Sequence, residues 1–230
     1  MLAICIPVTS WGDYEAYALP GVERLVAAAP DTLVLAETST GSYQATVNAM
    51  LDRLARVPSV DAAVVIHQDV EMLDTSASLL ATQFRNDQIA IIGAIGSTAR
   101  AGLRWWMGAP RGLRIELPEP FPAMVLSGGS AIVAAVDGVM LAFSPWAVQN
   151  LRFDERFADN FHGYDIDICL QAQAHNKLVA VEDLPLRHYQ VDGLRGGRDT
   201  TWIAAEIDIR KKWDLAGSPP GLAWTRGPAA

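Results

Sequence analysis

Apolar positions in this chain fall into short unbroken blocks, separated by stretches of helical character. Residues 2–8, 32–36, 62–66 and 89–95 form the blocks, each of strand length and too continuous for a strand with one wet face. Between them, 13–28, 44–56 and 76–84 read as helices; in the second, Val47, Leu51 and Leu54 recur at helical spacing. Buried strands alternating with helices predict an α/β fold, a mostly parallel central sheet with helices on both faces. The second half is less regular. Residues 97–130, rich in Gly, Pro, Arg and Trp, read as an irregular insertion, 131–143 as one long strand, and 161–174 as a loop running into a helix. Short strands at 178–181 and 186–189, a glycine-rich loop at 192–199 and a helix at 201–213 complete the expected order. Neither an internal repeat nor a separating linker interrupts it, so 1–230 is expected to form one domain.

An open parallel sheet binds ligands beyond the carboxyl ends of its strands. That rule turns the strand reading into a site expectation: Thr9 to Trp11, Glu37 to Thr40 and His67 to Glu71 should line one cleft.

Half of the residues are hydrophobic, enough for a sizeable core. With 18 Lys and Arg against 26 Asp and Glu, the net charge is −8, which disfavours nucleic acid and anionic membrane surfaces. An anionic nucleotide bound by such a chain needs local help from a metal ion, Arg side chains or helix N-termini. The two cysteines, Cys5 and Cys169, lie in apolar surroundings and are expected as buried free thiols. No apolar run approaches the roughly 20 residues of a membrane span. The apolar start at Met1 to Val8 lacks a basic leader, and the expectation is a cytoplasmic protein.

Three segments carry candidate chemistry. In Val64 to Glu71 a buried strand delivers His67, Asp69 and Glu71 within five positions, either as a solvated turn or as ligands for Mg²⁺ or Mn²⁺, the latter more tolerant of nitrogen. In His162 to Asp167, Asp165 and Asp167 open a helix; one suits capping, the other a general base for an acceptor hydroxyl. His188 follows a short strand and becomes a ligand candidate only if the fold brings it to Asp69. Beyond it, Arg195 and Arg198 stand among three glycines, as a surface loop or as a mobile loop that closes over phosphates. Trp105, Trp106 and Trp146 are core residues or platforms for a sugar ring.

Taken in order, these segments resemble the family 2 glycosyltransferases, and most closely their StrF-like group, over nearly the whole chain from Leu2 to Trp213. The resemblance rests on Ile4 to Val8 as opening strand, Ala36-Glu37-Thr38-Ser39, Gly41 through Asn48, and Ile66-His67-Gln68-Asp69-Val70-Glu71. It continues through Val136-Asp137-Gly138, Phe153-Asp154-Glu155 and Gly163-Tyr164-Asp165-Ile166-Asp167. It implies a GT-A fold, with 1–96 as the nucleotide-sugar-binding half, 97–215 as the acceptor-binding and catalytic half, and 216–230 as a C-terminal tail. By the same resemblance Asp69 takes the second position of the Asp-x-Asp metal motif, with His67 in the first, beside the nucleotide. Glu71 is an extra acid at the metal, and His188 a late histidine added to it. Thr9, Glu37 and Asn48 fall with the residues that meet the nucleotide. Asp165 matches the general base of a Glu-Asp pair whose first acid is Tyr164 here, and Asp167 an acid that supports the helix.

The implied function is transfer of one sugar from a nucleotide-diphosphate sugar, most commonly a UDP-sugar, to an acceptor hydroxyl of a glycan, a lipid-linked glycan or a small molecule. Transfer would be metal-dependent and inverting. The Gln-x-x-Arg-Trp motif of processive members is reduced to Trp213, with Lys212 in place of Arg, so a non-processive enzyme is expected. The altered motifs support an alternative: a catalytically weak or inactive sugar-nucleotide-binding protein on the same scaffold. A haloacid-dehalogenase phosphatase would need Asp-x-Asp where Thr9-Ser10-Trp11 stands, and a sugar-phosphate nucleotidyltransferase a Gly-rich basic loop there.

Overall fold

A computed structural model describes residues 1–98, 110–112, 114–117, 124–125, 129–160, 162–189 and 200–213. The apolar blocks become the centre of a seven-stranded sheet. Its order is β10 (Ala131–Val133), β13 (Leu178–Val181), β5 (Ile89–Gly93), β12 (Met140–Phe143), β3 (Ala62–Ile66), β1 (Leu2–Val8) and β2 (Leu33–Thr38). β10 and β12 run against the other five, so the sheet is mostly parallel. Every residue of β1, β3, β5 and β12 is buried, which means both faces of the sheet are covered; unbroken apolar sequence is what such strands require.

Helical segments make the crossovers. A single helical turn α1 (Trp11–Asp13), a π-turn over Tyr14–Ala18 and α2 (Leu19–Ala28) link β1 to β2. Helix α3 (Tyr43–Leu54) links β2 to β3 and starts where the Ser42 hydroxyl accepts the Ala45 N–H at 3.1 Å. A 3₁₀ turn at Ser76–Leu79 runs into α4 (Leu80–Gln83), and α5 (Pro145–Asn150) follows β12. Helix α6 (Tyr164–Ala174) precedes β13, and α7 (Thr200–Lys212) packs near the chain's end.

Two small sheets lie beside the main one. One is β4 (Val70–Met72), β14 (Leu186–His188), β8 (Arg114–Glu116) and β9 (Met124–Val125); the other is β11 (Ala135–Val136), β6 (Ile95–Ser97) and β7 (Pro110–Gly112). They correct three sequence expectations. Residues 131–143 are three strands, β10, β11 and β12, because the Asp137-Gly138 turn breaks the run, the Asp137 carboxylate accepting the Val139 N–H at 2.9 Å. The block 89–95 splits at Ala94, where the chain leaves the main sheet for β6. There Gly93 lets β11 cross closely, since a Cβ on it would lie 2.6 Å from that of Val136. Third, the described parts of 97–130 contribute strands to both small sheets.

Cys5 and Cys169 are buried free thiols, as expected. Among the described residues no helix is long and apolar enough to cross a membrane. Trp105, Trp106, Arg195, Arg198, the 192–199 loop and the 216–230 tail lie outside the described residues.

Candidate active site

The carboxyl ends of β1, β2 and β3 lie side by side and are tied together by polar side chains. The Gln68 carboxamide oxygen accepts the N–H groups of Thr9 and Ser10 at 2.7 and 2.9 Å, and its NH₂ donates to the Thr9 hydroxyl at 3.0 Å. The Trp11 indole N–H donates to the Thr38 hydroxyl at 3.2 Å. Trp11 remains 46% exposed, its ring perpendicular to that of Tyr14. The three segments expected to line one cleft therefore meet. Within it, the Glu37 carboxylate forms an ion pair with Arg53 of α3.

His67 and Asp69 follow β3 in a tight turn closed by the Val70 N–H on the His67 carbonyl at 3.2 Å. His188 arrives from the far end of the chain. Strand β14 pairs antiparallel with β4 so that His188 lies opposite Val70, and the Tyr189 N–H donates to the Asp69 carbonyl at 2.9 Å. His188 Nε2 then stands 3.2 Å from Asp69 Oδ2, and one ligand atom each from His67, Asp69 and His188 lie within 4.8 Å of one another. Burial alone would raise the Asp69 carboxyl; hydrogen bonding and charge from His188, with His67, outweigh it and hold the group below its ordinary value. Burial lowers His67 and keeps its ring neutral, the form that binds a metal. One carboxylate and two imidazoles fit a divalent first-row ion.

Glu71, expected at the metal, is not in this group. Its carboxylate accepts the Tyr189 hydroxyl at 2.8 Å and meets Arg24 at 3.1 Å and Arg187 at 3.4 Å. Asn48, expected at the nucleotide, is engaged elsewhere: its NH₂ donates to the Phe153 carbonyl at 2.9 Å and Glu155 at 3.0 Å, and its oxygen accepts the Phe153 N–H at 2.8 Å. Trp146 is removed from the cleft altogether. Strand β12 runs from Met140 beside Ile66 to Phe143 beside Ala63, so α5 begins at the opposite end of the sheet.

Asp165 lies in the first turn of α6, which Gly163 opens in the left-handed conformation at φ 85°. Its two oxygens accept the Ile166 N–H at 2.8 Å and the Gly138 N–H at 3.2 Å. Burial first, then the neighbouring Asp137 carboxylate, push the Asp165 carboxyl up to about 7, against the pull of those backbone donors. A carboxyl poised there can take up a proton at neutral pH. Asp167, fully buried, accepts the Trp213 indole N–H at 2.8 Å, a Gln171 N–H at 2.7 Å and Lys212 Nζ at 2.7 Å. Asp167 is thus the structural acid of the pair.

Two site residues were not assigned from sequence. Tyr164 places its hydroxyl 2.7 Å from His67 Nε2 and so joins the end of β3 to the start of α6. Asp137 acts on Asp165 from the turn before β12. Their only signal was position within a motif; what they face is decided by the fold.

The likeness to known proteins follows this geometry. No protein-family profile matches the chain. It is 29% identical over 189 residues to the streptomycin biosynthesis protein StrF of Streptomyces griseus, a stretch covering 81% of this chain and 66% of that protein. The chain therefore spans slightly under two thirds of the length of this relative. Among solved structures it superposes on GalNAc-T7 with UDP, GalNAc and Mn²⁺, with a TM-score of 0.58, 6% identity, and 92% of this chain against 47% of that one. The fold is GT-A. The crystal structure of A197 from STIV is also similar, with a TM-score of 0.53 at 12% identity, over 83% of this chain and 86% of that one. In the GT-A frame of this chain, the His67-Asp69-His188 group, the exposed Trp11 and Asp165 all stand at the carboxyl end of the parallel strands.

Proposed function

We propose that the protein transfers one sugar from a nucleoside-diphosphate sugar, with UDP as carrier, to an acceptor hydroxyl. The observation that carries this reading is the gathering of one ligand atom each from His67, Asp69 and His188 within 4.8 Å of one another, with Asp165 next in the chain to the Tyr164 that touches His67, at the carboxyl end of a GT-A sheet. The StrF likeness supports a glycosyltransferase-like family, and the GT-A neighbour GalNAc-T7 was solved with a nucleotide, a sugar and Mn²⁺.

Residues 1–96 bind the donor. The Trp11 face and Thr9 meet the nucleobase, and Glu37 accepts from the ribose hydroxyls. His67, Asp69 and His188 would hold Mn²⁺ or Mg²⁺, which supplies positive charge to a diphosphate leaving group. Arg195 and Arg198 would meet the phosphates. Residues 97–215 bind the acceptor, a glycan, lipid-linked glycan or small molecule. Asp165 takes the proton of its hydroxyl as the oxygen attacks the anomeric carbon from the face opposite the diphosphate, a single inverting displacement. The product is released after one transfer.

Calorimetric titration with UDP, GDP and CMP, each with and without Mn²⁺, tests the reading on the wild type and on Asp69→Ala. The expected result is metal-dependent binding of UDP that Asp69→Ala abolishes. Binding indifferent to metal would favour a catalytically inert binding protein, and no binding of any nucleotide would overturn the proposal.

A further inference from the structure

We infer that Tyr164 is a positioning residue for the metal centre: its hydroxyl accepts the Nε2–H of His67 and so leaves the Nδ1 lone pair of that ring for the ion. The inference rests on the reading of His67, Asp69 and His188 as ion ligands.

A neutral imidazole has one donor nitrogen and one acceptor nitrogen, and the partner of one decides what the other can do. Here Nε2 faces the Tyr164 hydroxyl at 2.7 Å. A lone pair directed at Asp69 and His188 must then come from Nδ1, which requires the proton on Nε2. The phenol has one proton of its own, and the Gly138 carbonyl stands 3.4 Å away to receive it. On this inference that proton goes to Gly138 or to Tyr43, the other hydrogen-bond partner of the hydroxyl, and the phenol oxygen accepts from His67. The arrangement runs Nδ1 (ion side), Nε2–H, Tyr164 O–H, then the Gly138 C=O or the Tyr43 hydroxyl, with each proton directed away from the ion.

Packing fixes this hydroxyl independently of its hydrogen bonds. The Tyr164 ring lies in contact with Tyr43, at 4.9 Å between centroids, and with Phe153 at 5.6 Å. It passes so close over Gly138 that a Cβ there would lie 2.3 Å from the hydroxyl and 2.6 Å from the ring carbon bearing it. Tyr43 also meets the His67 ring edge-on at 5.5 Å. One aromatic cluster therefore orients both members of the pair. Groups that orient a metal-binding histidine through its second nitrogen typically change metal affinity by about 10–100-fold when removed.

The test uses Tyr164→Phe, which keeps the ring and removes only the hydroxyl. Titration with Mn²⁺ alone should show a dissociation constant about 10–100-fold above that of the wild type. Nitrogen-15 NMR of the histidine rings in the metal-free wild type should show His67 protonated on Nε2; this needs no variant and stands if Tyr164→Phe fails to fold. Protonation on Nδ1, or equal Mn²⁺ affinity in the variant, overturns the inference while leaving the metal reading in place. A wild type that binds no Mn²⁺ removes both.

Discussion

Asp165 answers to two opposing influences, and its behaviour with pH follows from their balance. Burial and Asp137, acting against the Ile166 and Gly138 N–H donors, raise its carboxyl from an ordinary 3.8 to about 7, so the folded protein keeps a proton that the unfolded chain has already released. Between those values the native state binds more protons than the unfolded one. This group's contribution to stability is therefore lost as pH rises, and the loss is complete above about 7. Asparagine has no charge to bury, so Asp165→Asn should melt above the wild type at pH 8, with the gap closing toward pH 4. The difference should be roughly 2 kcal/mol once solvent screening of the part-buried group is allowed for. The same variant should lower kcat by about 10²–10⁴ without changing the UDP dissociation constant. Wild-type activity should rise through pH 7 as the base loses its proton. Thermal melts and a pH-rate profile check both effects; wild-type turnover by Asp165→Asn would remove it as the base. At this scale the sequence expected His67 and Asp69 just past a buried strand and Asp165 at a helix start, and that is where they stand. The surroundings of Glu71 were not legible: its partners Arg24 and Tyr189 lie 47 and 118 positions away. His67 and Tyr164, which stand where the resemblance expects acids, also touch each other across 97 positions, a pairing that local pattern does not contain.

Among the elements, those with a strong period or an unbroken apolar run were read well. The strands at 2–8, 62–66 and 178–181 stand where expected, and α3 begins one residue early and ends two early. Strand β4 went unseen: three residues hold it, and its partner β14 comes from the distant end of the chain. Asn48 shows what joins elements that periodicity describes separately. From α3 it satisfies both the N–H and the C=O of Phe153. Replacing it by alanine leaves two buried backbone groups without this partner, at a cost of about 2–4 kcal/mol. Asn48→Ala should therefore lower Tm by roughly 5–15 °C in a chain of this size. A melting curve unchanged from the wild type would return Asn48 to the nucleotide.

For the molecule as a whole, the candidate site draws on both halves of the chain. Thr9, Glu37, His67 and Asp69 come from the first half, Asp165 and His188 from the second. His188 arrives through the pairing of β14 with β4, and Asp165 through β12, which enters between β3 and β5 against their direction and carries the Asp137-Gly138 turn to the end of the sheet where β3 finishes. The second half is fastened at Asp167. This fully buried acid ties the last turn of α7 to α6 through Lys212 and Trp213, and Lys212 also reaches Asp154 at 2.8 Å. Asp167→Ala removes one of the two carboxylates that Lys212 meets and takes the partner of the Trp213 indole N–H, a loss of about 1–3 kcal/mol. Hydrogen exchange should show the amides of α7 losing protection before those of the central sheet. Simultaneous loss everywhere would mean that Asp167 supports the whole core.

The sequence by itself determined the α/β class, the strands at the centre of the sheet and the strand ends that carry polar side chains. It could do so because a strand covered on both faces must be apolar throughout, and its first polar residue marks where the cleft begins. Only the tertiary structure decided which of the clustered polar residues share that cleft. A side chain's direction depends on the register of pairing between distant strands: His188 reaches Asp69 through β14 and β4, while Glu71, two positions on, is turned to arginines. Local hydrophobic period records burial and carries no information about that register.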